Sequence, residues 1–109
     1  SATIALTSTN ATALVSNAAS SSKVFKINMI QVANVDGSNA CAVTIDMHSA
    51  AAGGGTAYSI MSEVTVPAKA SIVALDKNTA VYLEEDRSIT ATAGTASDLE
   101  VIISYEEIS

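Results

Sequence analysis

The chain has 109 residues, with eleven acidic and five basic side chains and a formal charge of −6 at pH 7. This length fits a single domain, and the acidic excess argues against binding to nucleic acids or anionic membranes, which also carry negative charge. A single cysteine excludes an internal disulfide, and with only 4% aromatic residues the core must be built from aliphatic side chains.

The first part of the chain, residues 1–22, is rich in Ala, Ser, Thr and Asn. We expect it to form an N-terminal arm that includes a first edge strand, because Ile4 and Leu6 lie two residues apart. Residues 1–7 are expected either to pair with the edge of a sheet or to reach a neighbouring subunit. A loop is expected at residues 17–22, and residues 23–109 are predicted to form a β-sandwich body.

The longest predicted strand covers residues 24–35. Its apolar side chains occupy odd positions up to Met29 and even positions from Ile30 onward. Either a β-bulge or burial of both strand faces would explain this switch. The Asp-Gly pair at residues 36–37 predicts a hairpin turn, with residues 41–47 as the returning strand.

The second half of the chain continues with short strands and turns. A glycine run at residues 53–55 predicts a flexible loop at a hairpin tip. One long strand or two short ones follow at residues 58–66. Further strands are expected at residues 71–75, 81–83, 89–93 and 99–108, separated by turns at 67–70, 76–79, 84–87 and 94–98. Eight or nine strands without a helical stripe predict an all-β domain, an antiparallel β-sandwich or jelly roll of about eight strands.

His48 is the only histidine, and it lies two residues after Asp46 on one side of a predicted strand. A histidine beside a carboxylate can act as a general base or bind a metal. A zinc site, however, needs three or four ligands, and a hydrolytic triad needs a positioned serine. Because neither pattern is present, we expect His48 to be an ordinary exposed residue. We expect no catalytic residue, no metal site and no cofactor, and we do not expect an enzyme.

Other reactive or aromatic groups also favour structural roles. The acidic runs at residues 84–86 and 106–107 lack the alternating ligand spacing of a calcium loop and are expected to face water. Cys41 is expected to be a small buried residue. The three tyrosines would suit a sugar-binding face, but their apolar neighbours favour packing in the core or at an interface. These are Tyr58, Tyr82 and Tyr105.

Four short segments carry a resemblance to a known group of proteins. They are V-A-N-x-D-G at residues 32–37, V-P-A at 66–68, Y-L-E-E-x-x-S at 82–88 and S-Y-E-E-I at 104–108. Together they resemble small virion structural proteins of tailed bacteriophages, particularly marine and cyanobacterial phages. The likeness covers residues 23–109, and Asp86 stands where a glycine is commoner.

The resemblance implies a β-sandwich or jelly-roll protein that binds and stabilises a virus particle. A capsid decoration (cement) protein is the leading hypothesis. A neck or tail component is one alternative, and a host-surface carbohydrate-binding module at a tail or fibre tip is another. The expected location is the virion, with the major capsid protein or neck and tail proteins as partners and a homo-oligomeric state. Residues 1–13 are expected to order on assembly by adding a strand to a neighbour.

Overall fold

The computed structural model describes residues 2–76 and 81–108, which form nine β-strands and a short 3₁₀ turn. The strands are β1 (Ala2–Leu6), β2 (Thr12–Asn17), β3 (Phe25–Asn34), β4 (Cys41–His48), β5 (Ala57–Val66), β6 (Ser71–Leu75), β7 (Val81–Leu83), β8 (Arg87–Ala93) and β9 (Leu99–Glu107); the 3₁₀ turn is Ala51–Gly53. The predicted all-β class is confirmed. The predicted turn at 76–79 lies outside the described residues except for Asp76. Within the described ranges, no helix is long and apolar enough to cross a membrane.

The strands form two antiparallel sheets that pack face to face. Sheet A has the order β1-β9-β3-β6, with β7 also paired to β3, and sheet B has the order β2-β8-β4-β5. β6 and β7 pair with different parts of β3 and share one edge of sheet A. The pairing is nested: β5 returns on β4, β6 and β7 on β3, β8 on β2, and β9 on β1. A long hairpin folded over in this way is a jelly roll.

The connection between β3 and β4 differs from the predicted hairpin. The two strands lie in different sheets, so the chain crosses from sheet A to sheet B at this point. The Asp36 Oδ1 atom accepts backbone N–H groups from Ser38 at 2.8 Å and Asn39 at 3.3 Å, and these bonds shape the crossing. An Asp-Gly pair therefore marks a turn here but does not identify the next strand as its partner.

The parity switch in β3 is a β-bulge, one of the two explanations left open by the sequence. The register between β3 and β9 shifts between Ile27 and Met29. Ile27 and Ile30 can therefore both point into the core, and both are fully buried. Gln31 and Ala33 on the other face remain half-buried, so β3 has only one core face.

The core lies between the sheets and is aliphatic, as expected. Its largest fully buried side chains are Leu6, Ile27, Ile30, Ile45, Leu83, Ile89, Leu99, Ile103, Val32, Val43, Val66 and Val101. Full burial of one such side chain stabilises the fold by roughly 1.5–3 kcal/mol.

The N-terminal strands take part in both sheets. β1 pairs with β9 over five residues, from Ala2 with Ile103 to Leu6 with Leu99. β2 pairs with β8, and its Leu14 side chain is buried. Of the two roles expected for residues 1–7, the structure shows pairing with the edge of the chain's own sheet.

Two buried asparagines connect the sheets at opposite ends of the sandwich. Asn34 on β3 of sheet A donates from Nδ2 to the Val66 carbonyl of sheet B at 2.9 Å. Asn17 on β2 of sheet B donates from Nδ2 to the Leu83 carbonyl of sheet A at 3.0 Å. Each amide also donates to a carbonyl in a neighbouring loop. Because a buried carbonyl without a donor costs stability, these contacts hold the ends of the two sheets together.

Candidate functional site

His48 is buried and not exposed, which corrects the expectation from sequence. Only 8% of its surface is exposed, and its Nε2 atom lies 2.8 Å from Thr90 Oγ1. The other ring nitrogen, Nδ1, is buried without a hydrogen-bond partner in the described part of the chain. Asp46 instead accepts a hydrogen bond from Ser59 at 3.0 Å. The imidazole therefore has neither an orienting carboxylate nor open access to a substrate.

The loop between β4 and β5, which the glycine run had suggested would be a flexible tip, folds back against β2 and β8. Backbone N–H groups of three successive residues in this loop bond to side chains elsewhere in the chain. The acceptors are Asp86 Oδ1 at 3.0 Å from Ala51 N, Ser16 Oγ at 2.9 Å from Ala52 N, and Ser88 Oγ at 2.8 Å from Gly53 N. The loop thus lies on the outer face of sheet B and buries polar side chains there.

Glycine is required at Gly55 for this folded-back path. Its φ is +67°, and a Cβ atom there would overlap Ser49 Oγ and lie 3.0 Å from the Ala50 backbone nitrogen. A side chain would therefore clash as well as strain the backbone. The glycine run serves the close approach of the loop to its own sheet.

The acidic and thiol groups do not assemble into a reactive centre. Among residues 2–76 and 81–108, no three His, Cys, Asp or Glu side chains are grouped closely enough to hold a metal ion. Glu84 and Glu85 are exposed to solvent, whereas Asp86 binds the β4–β5 loop. Cys41 is buried, as predicted.

Two carboxylates meet where the chain crosses between the sheets. Hydrogen bonds from the backbone N–H groups of Ser38 and Asn39 hold the pKa of Asp36 below its ordinary value. Desolvation, followed by the negative charge of Asp36, raises the pKa of Asp98 above its ordinary value. The pair therefore favours an ionised Asp36 beside an Asp98 that loses its proton less readily.

We expect Asp98→Asn to raise the melting temperature more at pH 7 than at pH 3. A raised folded-state pKa means that Asp98 favours the native state when protonated and loses this contribution as pH rises through that pKa. The amide removes the penalty. The lowered pKa of Asp36 has the opposite effect, because its stabilising contribution is lost as pH falls. Asp36 is present in both wild type and Asp98→Asn, so this contribution does not distinguish them. Thermal unfolding of wild type, Asp98→Asn and the charge control Glu84→Gln checks this, and an equal shift at both pH values would contradict it.

The tyrosines separate into two groups. Tyr105 packs edge-on against Phe25, with ring centroids 5.5 Å apart, in agreement with the expected packing role. Tyr58 and Tyr82 are 64% and 56% exposed, so neither lies in the core, and packing at an interface stays a prediction for them. They lie on β5 and β7, the edge strands of different sheets. Both rings are thus available for contact with another molecule.

The outer face of sheet A is open and nearly uncharged. Its two central rows, named here the sheet A face, are Thr3, Ile102, Gln31 and Val73, followed by Ala5, Glu100, Ala33 and Ser71. Ile102 is 42% and Val73 54% exposed. Two shallow hollows of about 370 and 460 Å³ adjoin at Gln31 and Ala33. Glu100 is the single charged member of the rows.

The second open surface is the free side of β5, named here the β5 edge. β5 is the last strand of sheet B, and of its ten side chains only Val66 is buried. Glu63 is its one charged residue, and the strand contains neither lysine nor proline. The register with β4 shifts near Glu63, whose backbone N–H bonds to Thr44 Oγ1 at 3.0 Å. β5 is thus one strand with an irregularity, which settles the two possibilities that the sequence left open.

Comparison with models of known protein families, with curated proteins and with solved structures found no match to this chain. The two open surfaces are therefore the candidate functional sites of the chain. Sequence reasoning missed both as sites. The low charge of residues 57–66 was the available signal for the β5 edge.

Proposed function

We propose that this domain is a virion structural protein that adheres to other protein subunits, acting as a capsid decoration protein that stabilises the assembled shell. The observation that carries the proposal is the β5 edge. The buried state of His48 and the open, uncharged surfaces both favour adhesion over catalysis. Resemblance of residues 23–109 to phage structural proteins adds the virion as the setting.

The β5 edge suits strand addition. A terminal strand presents unpaired backbone N–H and C=O groups along its free side, and natural proteins protect such edges with lysine, proline, β-bulges or inward-pointing charges. In β5 this protection is confined to the region around Glu63, its one charged residue and the place of its irregularity. An extended segment of a capsid subunit can pair with this edge, gaining backbone hydrogen bonds while its side chains contact exposed groups such as Val64.

Decoration by this route stabilises a shell through mass action. A protein that binds the assembled shell, and not its free subunits, shifts the equilibrium towards assembly by an amount set by its concentration and affinity. The mechanism needs a rigid sandwich that holds an open edge, and it requires no bond-making step. A neck or tail component would use the same contact on a different part of the particle.

The doubly substituted chain Ser62→Lys, Val64→Lys is expected to lose particle binding while its free energy of unfolding changes by less than about 1 kcal/mol. Both positions are exposed on β5, so the charges oppose strand addition without disturbing the core. The control, Thr92→Lys, places one added lysine on the central strand β8 and should bind normally. To measure particle binding of the two variants, each is gold-labelled, added to particles that lack this protein, and imaged by electron microscopy.

The distribution of the label separates the variants of the proposal. Label over the whole shell supports decoration, whereas label at one vertex supports a neck or tail role. Binding of the doubly substituted chain at the wild-type level would show that the β5 edge is not the contact. Absence of wild-type binding anywhere on the particle would refute the virion role.

One observation favours a second candidate, a carbohydrate-binding module at a tail or fibre tip. Tyr58 and Tyr82 are both more than half exposed, and an exposed aromatic ring with a hydroxyl can stack on a sugar and bond to it. Glycan-array binding that is abolished by Tyr58→Ala would support this candidate over decoration.

A further inference from the structure

The sheet A face differs from the outer face of sheet B in one respect that bears on assembly. Sheet B is partly covered by its own β4–β5 loop, which buries Ser88 and Thr90. The sheet A face has no such cover in the described residues, and it exposes Ile102 and Val73 on either side of Gln31. Exposed apolar groups that surround hollows at small residues such as Ala33 are typical of an interface.

The charges that border this face are arranged for self-association. Lys26 on β3 and Glu106 on β9 are register partners at one end of the sheet. They lie on either side of the line between β3 and β9. A two-fold rotation about an axis parallel to that line exchanges β3 with β9 and preserves position along the strands. It therefore places Lys26 of each copy opposite Glu106 of the other.

We propose that a second copy of this chain covers the sheet A face, with the two-fold axis parallel to β3 and β9 and between them. In this dimer Ile102 of one copy packs on Gln31 of the other. Glu100 lies over the small Ala33 of the other copy, so the two Glu100 carboxylates do not meet. Lys26 and Glu106 form two symmetric ion pairs at the rim.

The available area meets the need of a stable interface. A standard interface buries about 800 Å² on each partner. The molecule measures 44 × 26 × 19 Å. Because two packed sheets lie only about 10 Å apart, the shortest dimension is the one across the sheets, and each sheet extends along the two longer ones. Face-to-face packing with near-parallel strands is also how sheets pack within a sandwich. The face can therefore hold a standard interface without using the β5 edge.

This inference goes beyond the proposed function and does not depend on it. The dimer uses the outer face of sheet A, whereas the β5 edge belongs to sheet B and stays free in both copies. A dimer would therefore present two β5 edges, and simultaneous engagement of both would strengthen attachment to a repeating surface.

The test is the mass of the whole chain in solution, measured by sedimentation equilibrium across a range of concentrations. The wild-type chain is expected to sediment at twice its 11.0 kDa mass. Lys26→Glu or Glu106→Lys alone should raise the dimer dissociation constant by about a hundredfold, because two like-charge contacts replace two opposite-charge contacts. The control Glu63→Lys makes the same charge change as Glu106→Lys, but on sheet B, and should leave the constant unchanged.

Mixing the two single variants isolates the contact between copies. In a mixed dimer each substituted side chain faces an opposite charge on the other copy, while the like charges within each copy remain neighbours. The mixture should therefore associate within about threefold of wild type, although neither variant does so alone. Ile102→Arg should abolish association while leaving thermal unfolding of the monomer intact.

Two results would overturn the proposal. One is a wild-type chain that stays monomeric up to a concentration of about 1 mM, because a dimer with a weaker dissociation constant than this is too weak to be a specific interface. The other is a dimer whose dissociation constant is unchanged by Lys26→Glu, Glu106→Lys and Ile102→Arg. Particle binding by a strictly monomeric chain would contradict the dimer while leaving the β5 edge proposal intact.

Discussion

Asn34→Asp is expected to lower the free energy of unfolding by about 4 kcal/mol, since each buried group left without a partner costs about 1–3 kcal/mol. The side chain keeps its shape but loses the Nδ2 donor that bonds to the carbonyls of Val66 at 2.9 Å and Asn39 at 3.0 Å. A carboxylate in the same place also directs negative charge at both carbonyl oxygens. The position is 2% exposed, so water cannot replace the lost donor.

Urea unfolding measures the effect, with Asn10→Asp as the control. Asn10 is exposed in the loop after β1, and the substitution adds the same charge there. The control should change the free energy of unfolding by less than about 0.5 kcal/mol. A similar small change for Asn34→Asp would mean that the amide does not connect the two sheets.

Leu6→Ala is expected to cost about 3 kcal/mol, within the range for leucine-to-alanine changes at buried sites. Leu6 is fully buried although it lies in the segment expected to be an arm. Its strand pairs with β9, so truncation removes core contacts and leaves a cavity. The loss arises within the isolated chain and does not require an assembled particle.

The matched control for Leu6→Ala is Thr3→Ala on the same strand. Thr3 faces outward on the sheet A face, and its truncation should change the free energy of unfolding by less than about 0.5 kcal/mol. Equal and small effects at both positions would show that β1 is not part of the stable core and would restore the arm interpretation.

Period-two patterns predicted most strands because side-chain alternation is a local property. In β9, Leu99, Val101 and Ile103 are buried as the alternation indicates. The same run includes Ile102, which is apolar but faces outward. Alternation alone could not identify it as a surface residue, because apolar side chains occupy both parities there. The sheet A face could therefore not be predicted from the sequence pattern.

Strand pairing and the burial of polar side chains depend on distant parts of the chain, so they were harder to predict from the sequence. The Asp36–Gly37 turn looked like a hairpin because its composition fits one, yet β4 finds its partners in sheet B. His48 looked exposed because nothing near it in the sequence indicates its contact with Thr90 on β8. The glycine run looked mobile because the groups that fix it, Ser16, Asp86 and Ser88, are distant in the sequence. No local pattern encodes such contacts, and the buried role of Asn34 was missed for the same reason.

The nested pairing has a consequence for how the chain is made. The ribosome releases β1 first, but its sheet partner β9 is the last strand to be synthesised. The β4–β5 hairpin can close early, and each pair outside it closes a longer loop at a slowly growing entropic cost. We therefore expect folding to proceed outward from this hairpin, one strand pair after another. It is expected to be slow, because most contacts join residues that are far apart in the sequence. Until β9 has left the ribosome, the Leu6 side chain stays exposed to water.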